Sequence, residues 1–201
     1  MDIAEELELL KLEILRDKDL PLASSAKNLV FGKGNPCAKI MFVGEAPGAN
    51  EDLQGLPFVG VAGKNLDKLL ARTGLSLEDV FIANILKYRP PENAPPSKEQ
   101  IKSHTPYLIR QIKIIRPDVV CSLGNYATKF FLAGLNPELM EKQLGITSVH
   151  GKTREIEFEG LKFKLIPLFH PAAIIYNQKL LPLWGGDMEI VKKEIGQRKL
   201  I

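Results

Sequence analysis

Leucines and isoleucines recur at helical spacing among glutamates and lysines from Asp2 to about Arg16, which predicts an amphipathic helix lying on the body of the protein. Pro21, Gly32 and Gly34 then interrupt any period as far as Asn35, so this stretch reads as an irregular connection. The pattern next becomes extended. Ala38-Lys39-Ile40-Met41-Phe42-Val43 is apolar but for one lysine, as a strand buried in a sheet requires, and Gly44 begins a tight turn after it. Gly55, Pro57, Phe58 and Gly60 mark residues 50–63 as a long loop, followed by a helix from about Lys64 to Arg72 that Gly74 closes. Val80 to Ile85 is a second apolar strand. The prolines at 90, 91, 95 and 96 exclude a helix after it, because each lacks a donor and restricts its predecessor. Ser97 and Gln100 make a capping box that starts a long helix ending near Arg116. A third strand runs from Pro117 to Gly124 and a helix from Asn125 to Ala133; Thr153 to Glu159 and Lys162 to Phe169 read as strands joined at Gly160, and Asp187 to Ile195 as a final helix.

Alternating strands and helices predict a three-layer α/β/α sandwich around a mainly parallel sheet. Glu45, Asn84, Gly124 with Asn125, and His170 each fall just past a predicted strand. In parallel strands those loops meet at one edge of the sheet, where crevices in open α/β folds form.

The chain has 201 residues, 45% hydrophobic and 25% charged, which suits one well-buried domain over residues 1–201, with residues 1–29 as an N-terminal helix and connecting segment. No apolar run is long enough to cross a bilayer. The acidic start, Met1-Asp2-Ile3-Ala4-Glu5-Glu6, lacks the features of a secretory signal, so the expected compartment is the cytoplasm. Cys37 and Cys121, in or beside predicted strands, read as packing residues. The net charge of +3 permits a polyanionic partner without requiring one.

Candidate chemistry sharpens the picture. Glu45, Phe58, Asn84 and His170 offer a carboxylate, an aromatic face, a planar amide and an imidazole. An amide pairs with a base edge, a ring stacks on its face, and an imidazole donates to an oxygen that gains charge, so such a pocket suits a flat heterocycle. Each has a plainer reading: Phe58 as core, Asn84 as a turn cap, His170 as a structural histidine. His104 and His150 read as surface residues. Phosphate-loop readings fail, since Phe58 stands five before Gly63 and Asn65 follows Lys64 where Ser or Thr is needed, while Gly32-Lys33-Gly34 precedes its strand.

Gly44-Glu45-Ala46-Pro47-Gly48, Gly55-Leu56-Pro57-Phe58-Val59-Gly60 with Ala62-Gly63-Lys64, Asn84 with Lys87 and Arg89-Pro90-Pro91, and His170-Pro171-Ala172-Ala173 together resemble the family 4 uracil-DNA glycosylases, from about Val30 onward. The resemblance implies a central, mainly parallel four-stranded sheet. It also implies hydrolysis of the bond between uracil and deoxyribose after the nucleotide is flipped out of single- or double-stranded DNA. Phe58 would stack on uracil, Asn84 would read its edge, and backbone groups of Gly44 and Ala46 would line the pocket. His170 would stabilise the departing base, and Glu45 would activate water or exclude the thymine methyl. Ala172 would belong to the loop that enters the duplex, with Ile174 or Ile175 as its wedge, while Lys64, Lys87 and Arg89 would meet phosphates.

Members of this family usually carry a four-iron cluster on four cysteines, and the matching positions here are Asp17, Leu20, Tyr88 and His104. Clusters need thiolates, so no metal or cofactor is expected, and packing of Leu20 and Tyr88 is expected to tie the N-terminal segment down instead. A related branch bonds covalently to DNA through a histidine after Asn84; Lys87-Tyr88-Arg89-Pro90-Pro91 contains none, so ordinary turnover is expected. The expectation is a monomeric, monofunctional glycosylase. The alternatives are a binder of uracil-containing or abasic DNA that does not cleave and a hydrolase of free nucleosides.

Overall fold

The apolar runs around Phe42, Ile82, Cys121 and Ile166 lie side by side as parallel strands in a computed structural model that describes residues 2–196. The elements in order are α1 (Ile3–Arg16), β1 (Lys33–Gly34), β2 (Ile40–Gly44), α2 (Ala49–Gln54), α3 (Val61–Arg72), β3 (Val80–Asn84) and α4 (Lys98–Ile115). There follow β4 (Val119–Leu123), α5 (Asn125–Leu132), α6 (Ile146–Val149), β5 (Arg154–Phe158), β6 (Leu161–Leu168), α7 (Ala173–Tyr176) and α8 (Leu180–Gly196). Short 3-10 turns occupy Pro91–Asn93 and Pro137–Lys142.

The sheet order is β1-β3-β2-β4-β6-β5. Its four central strands are parallel, and β1 and β5 add antiparallel edges, so the expected four-stranded sheet is the core of a six-stranded one. A strand of two residues, Lys33–Gly34, is too short to carry any hydrophobic period, which is why the pattern does not reveal it.

Alternation along the strands feeds two core layers. Met41 and Val43 face the layer built with α1, α4 and α5, where Leu10, Ile14, Leu108, Ile112 and Phe130 pack; Ile40 and Phe42 face the layer built with α3 and α8, where Leu66, Leu70, Trp184 and Met188 pack. Each such side chain, fully buried, contributes roughly 1.5–3 kcal/mol, so the two helical layers hold the strands in register. That register matters for function. Gly44 pairs with Asn84 and Leu123 with Leu168, which aligns the carboxyl ends of all four parallel strands.

The span 50–63 is not all loop, because most of α2 and the first turn of α3 fall within it. α2 is a short, mostly polar helix closed by Gly55 at φ 69°, too brief to show a period. α8 begins at Leu180, well before Asp187, because buried Trp184 anchors a first half whose Pro182, Gly185 and Gly186 disguise it. Cys121 is buried as expected, whereas Cys37 is exposed.

Three polar residues, His104, Thr105 and Gln111, are buried on α4. Gln111 and His104 sit among Ile101, Leu108, Ile112 and Ile115, all buried. Gln111 gives its amide N–H to the Phe31 carbonyl (2.9 Å) and accepts from Lys87 Nζ (2.6 Å), which also donates to the Asn84 carbonyl (2.8 Å). Lys87 is wholly buried, and desolvation lowers its pKa to about 7. A neutral amine has two N–H donors, which match the two acceptors present.

This depressed pKa gives stability a defined pH dependence. The unfolded chain keeps its Lys87 proton up to about pH 10.4, whereas the folded chain loses it near 7, so unfolding takes up a proton between those limits. Stability should therefore rise with pH across that window by up to roughly 1.4 kcal/mol per unit from this group. Urea unfolding of the wild type and Lys87→Met at pH 7, 8 and 9 checks this: the difference between their slopes should carry the rise, and parallel curves would refute it.

Candidate active site

The ends of β2 and β3 come so close that only glycine fits at 44. A Cβ there would lie 2.4 Å from Asn84 Oδ1 and 2.7 Å from Phe58 Cζ, so the amide and the ring close directly over bare backbone. Past the strands the two chains stay tied, with Ile85 N–H donating to the Gly44 carbonyl and Leu86 N–H to that of Glu45, both at 3.0 Å. Glu45 is thus delivered at the mouth rather than released into solvent.

Phe58 is held in a left-handed backbone conformation, φ 51°, that a non-glycine residue keeps only under restraint. The restraints are visible. Lys33 Nζ donates to its carbonyl (2.9 Å), and the backbone of α3 approaches so closely that a Cβ on Gly63 would stand 1.9 Å from that oxygen. Glu51 Oε1 accepts from the backbone N–H groups of Val59 and Gly60, both at 2.9 Å, which closes the loop from its other side.

His170 enters from the end of β6. Gly124, at φ 85°, makes room for it, since a Cβ there would meet the His170 Cβ at 2.9 Å. The imidazole Nδ1 accepts the Ala172 N–H (3.1 Å), and burial lowers the ring's pKa to about 4, with Glu51 opposing the shift. Near neutral pH the ring is therefore uncharged, with its remaining proton on Nε2. Its plane lies 31° from that of Phe58, with centroids 5.8 Å apart.

These groups surround a cavity of about 260 Å³ whose wall includes Glu45, Ala46, Phe58, Asn84, His170 and Ala172. Asn84 is only 2% exposed, and no donor among the described residues reaches its Oδ1. A buried acceptor left this way costs about 1–3 kcal/mol, which a ligand with a matching donor would recover. Desolvation raises the pKa of Glu45.

Most of the sequence-derived candidates converge here, and several do not. Lys87 is no phosphate contact: it is buried behind Asn84, because its ammonium position is filled by protein acceptors. Ile174 is no exposed wedge either, since it is 7% exposed in the layer with α3 and α8. Ile175 and Tyr176, at 45% and 88% exposed, are what the loop presents. Tyr176 belongs to the same stretch that resembles the duplex-entering loop, but sequence does not single it out, because the exposure of an aromatic depends on which residue of a short turn packs inward. Lys64 is exposed on α3, and Arg89, part-exposed, donates through Nε to Asn93 Oδ1 (2.8 Å) beside the cavity wall that Pro90, Asn93 and Ala94 complete.

Neither of the other histidines is simply a surface residue. His104 is fully buried, and its spacing from Ile101 and Leu108 on α4 would have placed it there. His150 Nδ1 contacts the buried Asp187 carboxylate (2.9 Å), and its ring lies against Phe169 with centroids 4.5 Å apart. Among the described residues, no three His, Cys, Asp or Glu side chains are grouped to hold a metal ion.

Comparison with known proteins agrees with this geometry. The model of the uracil DNA glycosylase superfamily matches residues 31–185, the span that carries every cavity residue. A type-4 uracil-DNA glycosylase of Archaeoglobus fulgidus is 40% identical over 97% of this chain and 96% of its own. The corresponding protein of Saccharolobus solfataricus is 40% identical over 98% of this chain and 89% of its own, and that of Thermotoga maritima 40% identical over 87% and 85%. With such similarity running through the strand ends that build the cavity, the chain belongs to the type-4 branch of the uracil-DNA glycosylase superfamily.

Proposed function

We propose that the cavity receives a uracil flipped out of DNA and that the chain hydrolyses its N-glycosidic bond, leaving an abasic site. The observation that carries this is the unpartnered, buried Oδ1 of Asn84 beside the Phe58 ring. Uracil presents an N3–H donor next to the O4 acceptor. Oδ1 accepts from the first and Nδ2 donates to the second, while Phe58 takes the face of the ring. Cytosine offers an acceptor at N3 and donors at N4, so the same amide opposes it at both atoms.

As the glycosidic bond breaks, negative charge gathers on the base, and the neutral His170 donates through Nε2 to its O2. A donor placed where charge develops is worth about 10²–10³ in rate. Glu45, with its raised pKa, accepts a proton from the attacking water, which then bonds to C1′. Among the described residues no lysine lines the cavity, so none of them offers a nucleophile for a Schiff base with the sugar, which supports a monofunctional glycosylase.

Outside the cavity, Lys64 and Arg89 meet phosphates, and the Ala172–Ile175 loop with Tyr176 fills the space the flipped base leaves. No helix among the described residues is long and apolar enough to cross a membrane.

His170→Ala should slow uracil release from a labelled strand containing one deoxyuridine by about 10²–10³-fold with little change in DNA binding. Binding by the wild type without any release would instead establish a non-cleaving binder.

Asn84→Asp can offer a protonated carboxyl to cytosine, so it should gain cytosine release and lose most activity on uracil. Unchanged base preference would remove Asn84 from the reading.

The lowered pKa of His170 keeps the ring neutral on acidification from its usual value near 6.5 down to about 4. The residual activity of Glu45→Gln should accordingly stay level from pH 7 to 5. A change in either direction centred near 6.5 in its pH–rate profile would mean that the imidazole titrates normally.

A further inference from the structure

We propose that the position at which the family resemblance expects a four-iron cluster is occupied in this chain by a metal-free polar staple centred on His104, which ties the N-terminal connection to the backbone following Asn84. The four positions that would hold the cluster do come near one another. Asp17 follows α1, Leu20 is buried in the connection, Tyr88 follows β3, and the Tyr88 and His104 rings meet edge-on with centroids 6.2 Å apart. Their donors are one carboxylate, one hydrocarbon, one phenol and one imidazole, and no thiolate is among them. Of the two cysteines, Cys121 is buried within β4 and Cys37 is exposed beside β2. This set does not fit an iron–sulfur cluster, whose irons need thiolate ligands.

The polar atoms here are already committed to each other. His104 Nδ1 accepts the backbone N–H of Lys87 (3.0 Å), which leaves the ring's proton on Nε2, where it is donated to the Pro21 carbonyl (2.9 Å). Burial lowers the pKa of His104 to about 4, so this single tautomer persists at neutral pH. One turn further along α4, Tyr107 donates its hydroxyl to the Asp17 carboxylate, and beyond it Arg110 pairs with Glu13 of α1. The staple thus links successive turns of α4 to Pro21, Asp17 and Glu13. None of the buried unpartnered side-chain atoms among the described residues, Asn84 Oδ1 and Trp184 Nε1, belongs to it. No polar atom of His104 is left to bind a further group.

The consequence reaches the cavity. Lys87, whose backbone N–H the imidazole accepts, holds the Asn84 carbonyl with its side chain and receives Val30 N–H on its own carbonyl (2.8 Å). A bond network therefore does the tethering that a cluster would do, and oxidation cannot dismantle it.

The test uses the full chain, incubated anaerobically with ferrous iron and sulfide, desalted, and assayed for bound iron, acid-labile sulfide and visible absorbance. We expect no stoichiometric iron or sulfide and the same Tm with and without chelator. His104→Ala should lower Tm by roughly 5–10 °C and speed amide exchange in residues 85–89, with β4 unaffected. His104→Asn, which can keep the bond to Lys87 but cannot reach Pro21, should fall between it and the wild type and serves if the alanine variant does not fold. A stoichiometric cluster in the wild type, or an unchanged Tm and exchange pattern in both variants, would overturn the proposal. None of these measurements reads uracil release, so they stand or fall apart from the glycosylase reading.

Discussion

The close approach of Asn84 and Phe58 over Gly44 is the constraint on which the rest of the molecule depends. It requires β2 and β3 to be parallel and in one particular register, because a slip of one residue would turn the Asn84 amide to the opposite face of the sheet. The two helical layers enforce that register through apolar burial, which is strong but not directional. Direction comes from the glycines. At 44, 63 and 124 they remove the atoms that would hold the amide, the ring and the imidazole apart.

Around this point the protein accepts local costs. Phe58 is kept at a positive φ, Asn84 keeps an acceptor without a protein partner, and Lys87 is buried with its ammonium form disfavoured. Costs of this kind reach about 1–3 kcal/mol each and persist only where the surroundings over-determine the conformation. Here they do. Lys33, Glu51 and the backbone of α3 hold Phe58 from separate directions, and Gln111 and His104 hold the chain that follows Asn84. Rigidity of this sort holds the polar groups of the cavity in place, so that a ligand would meet them without the site reorganising.

The buried polar residues of α4 explain how that support reaches the site. His104 and Gln111 occupy stripe positions that leucine or isoleucine would otherwise fill, and an apolar residue there would pack as well but would fix nothing beyond itself. Because both side chains are satisfied at each end, they convert a non-specific helix–sheet contact into one with a single arrangement. The placement of Asn84 at the cavity therefore rests on a helix that contributes no residue to the cavity wall.

By itself the sequence determined the order of the longer strands and helices, the parallel core, and the arrival of Glu45, Asn84 and His170 at strand ends. Period and turn chemistry are local properties, and motifs at those ends carry their own identity. The capping box at Ser97 and the glycine turn at 44 were legible for the same reason. Only the tertiary structure decided which polar side chains would be inside. Lys87 reads as a free cation and His104 as a surface histidine until Gln111, Phe31 and Pro21 are brought against them from distant parts of the chain. It likewise decided that Ile174 turns into the core while Tyr176 stands out, since a single turn of helix offers no period from which the inward face can be read. Burial and protonation are properties of neighbours in space, and sequence order specifies neighbours only along the chain.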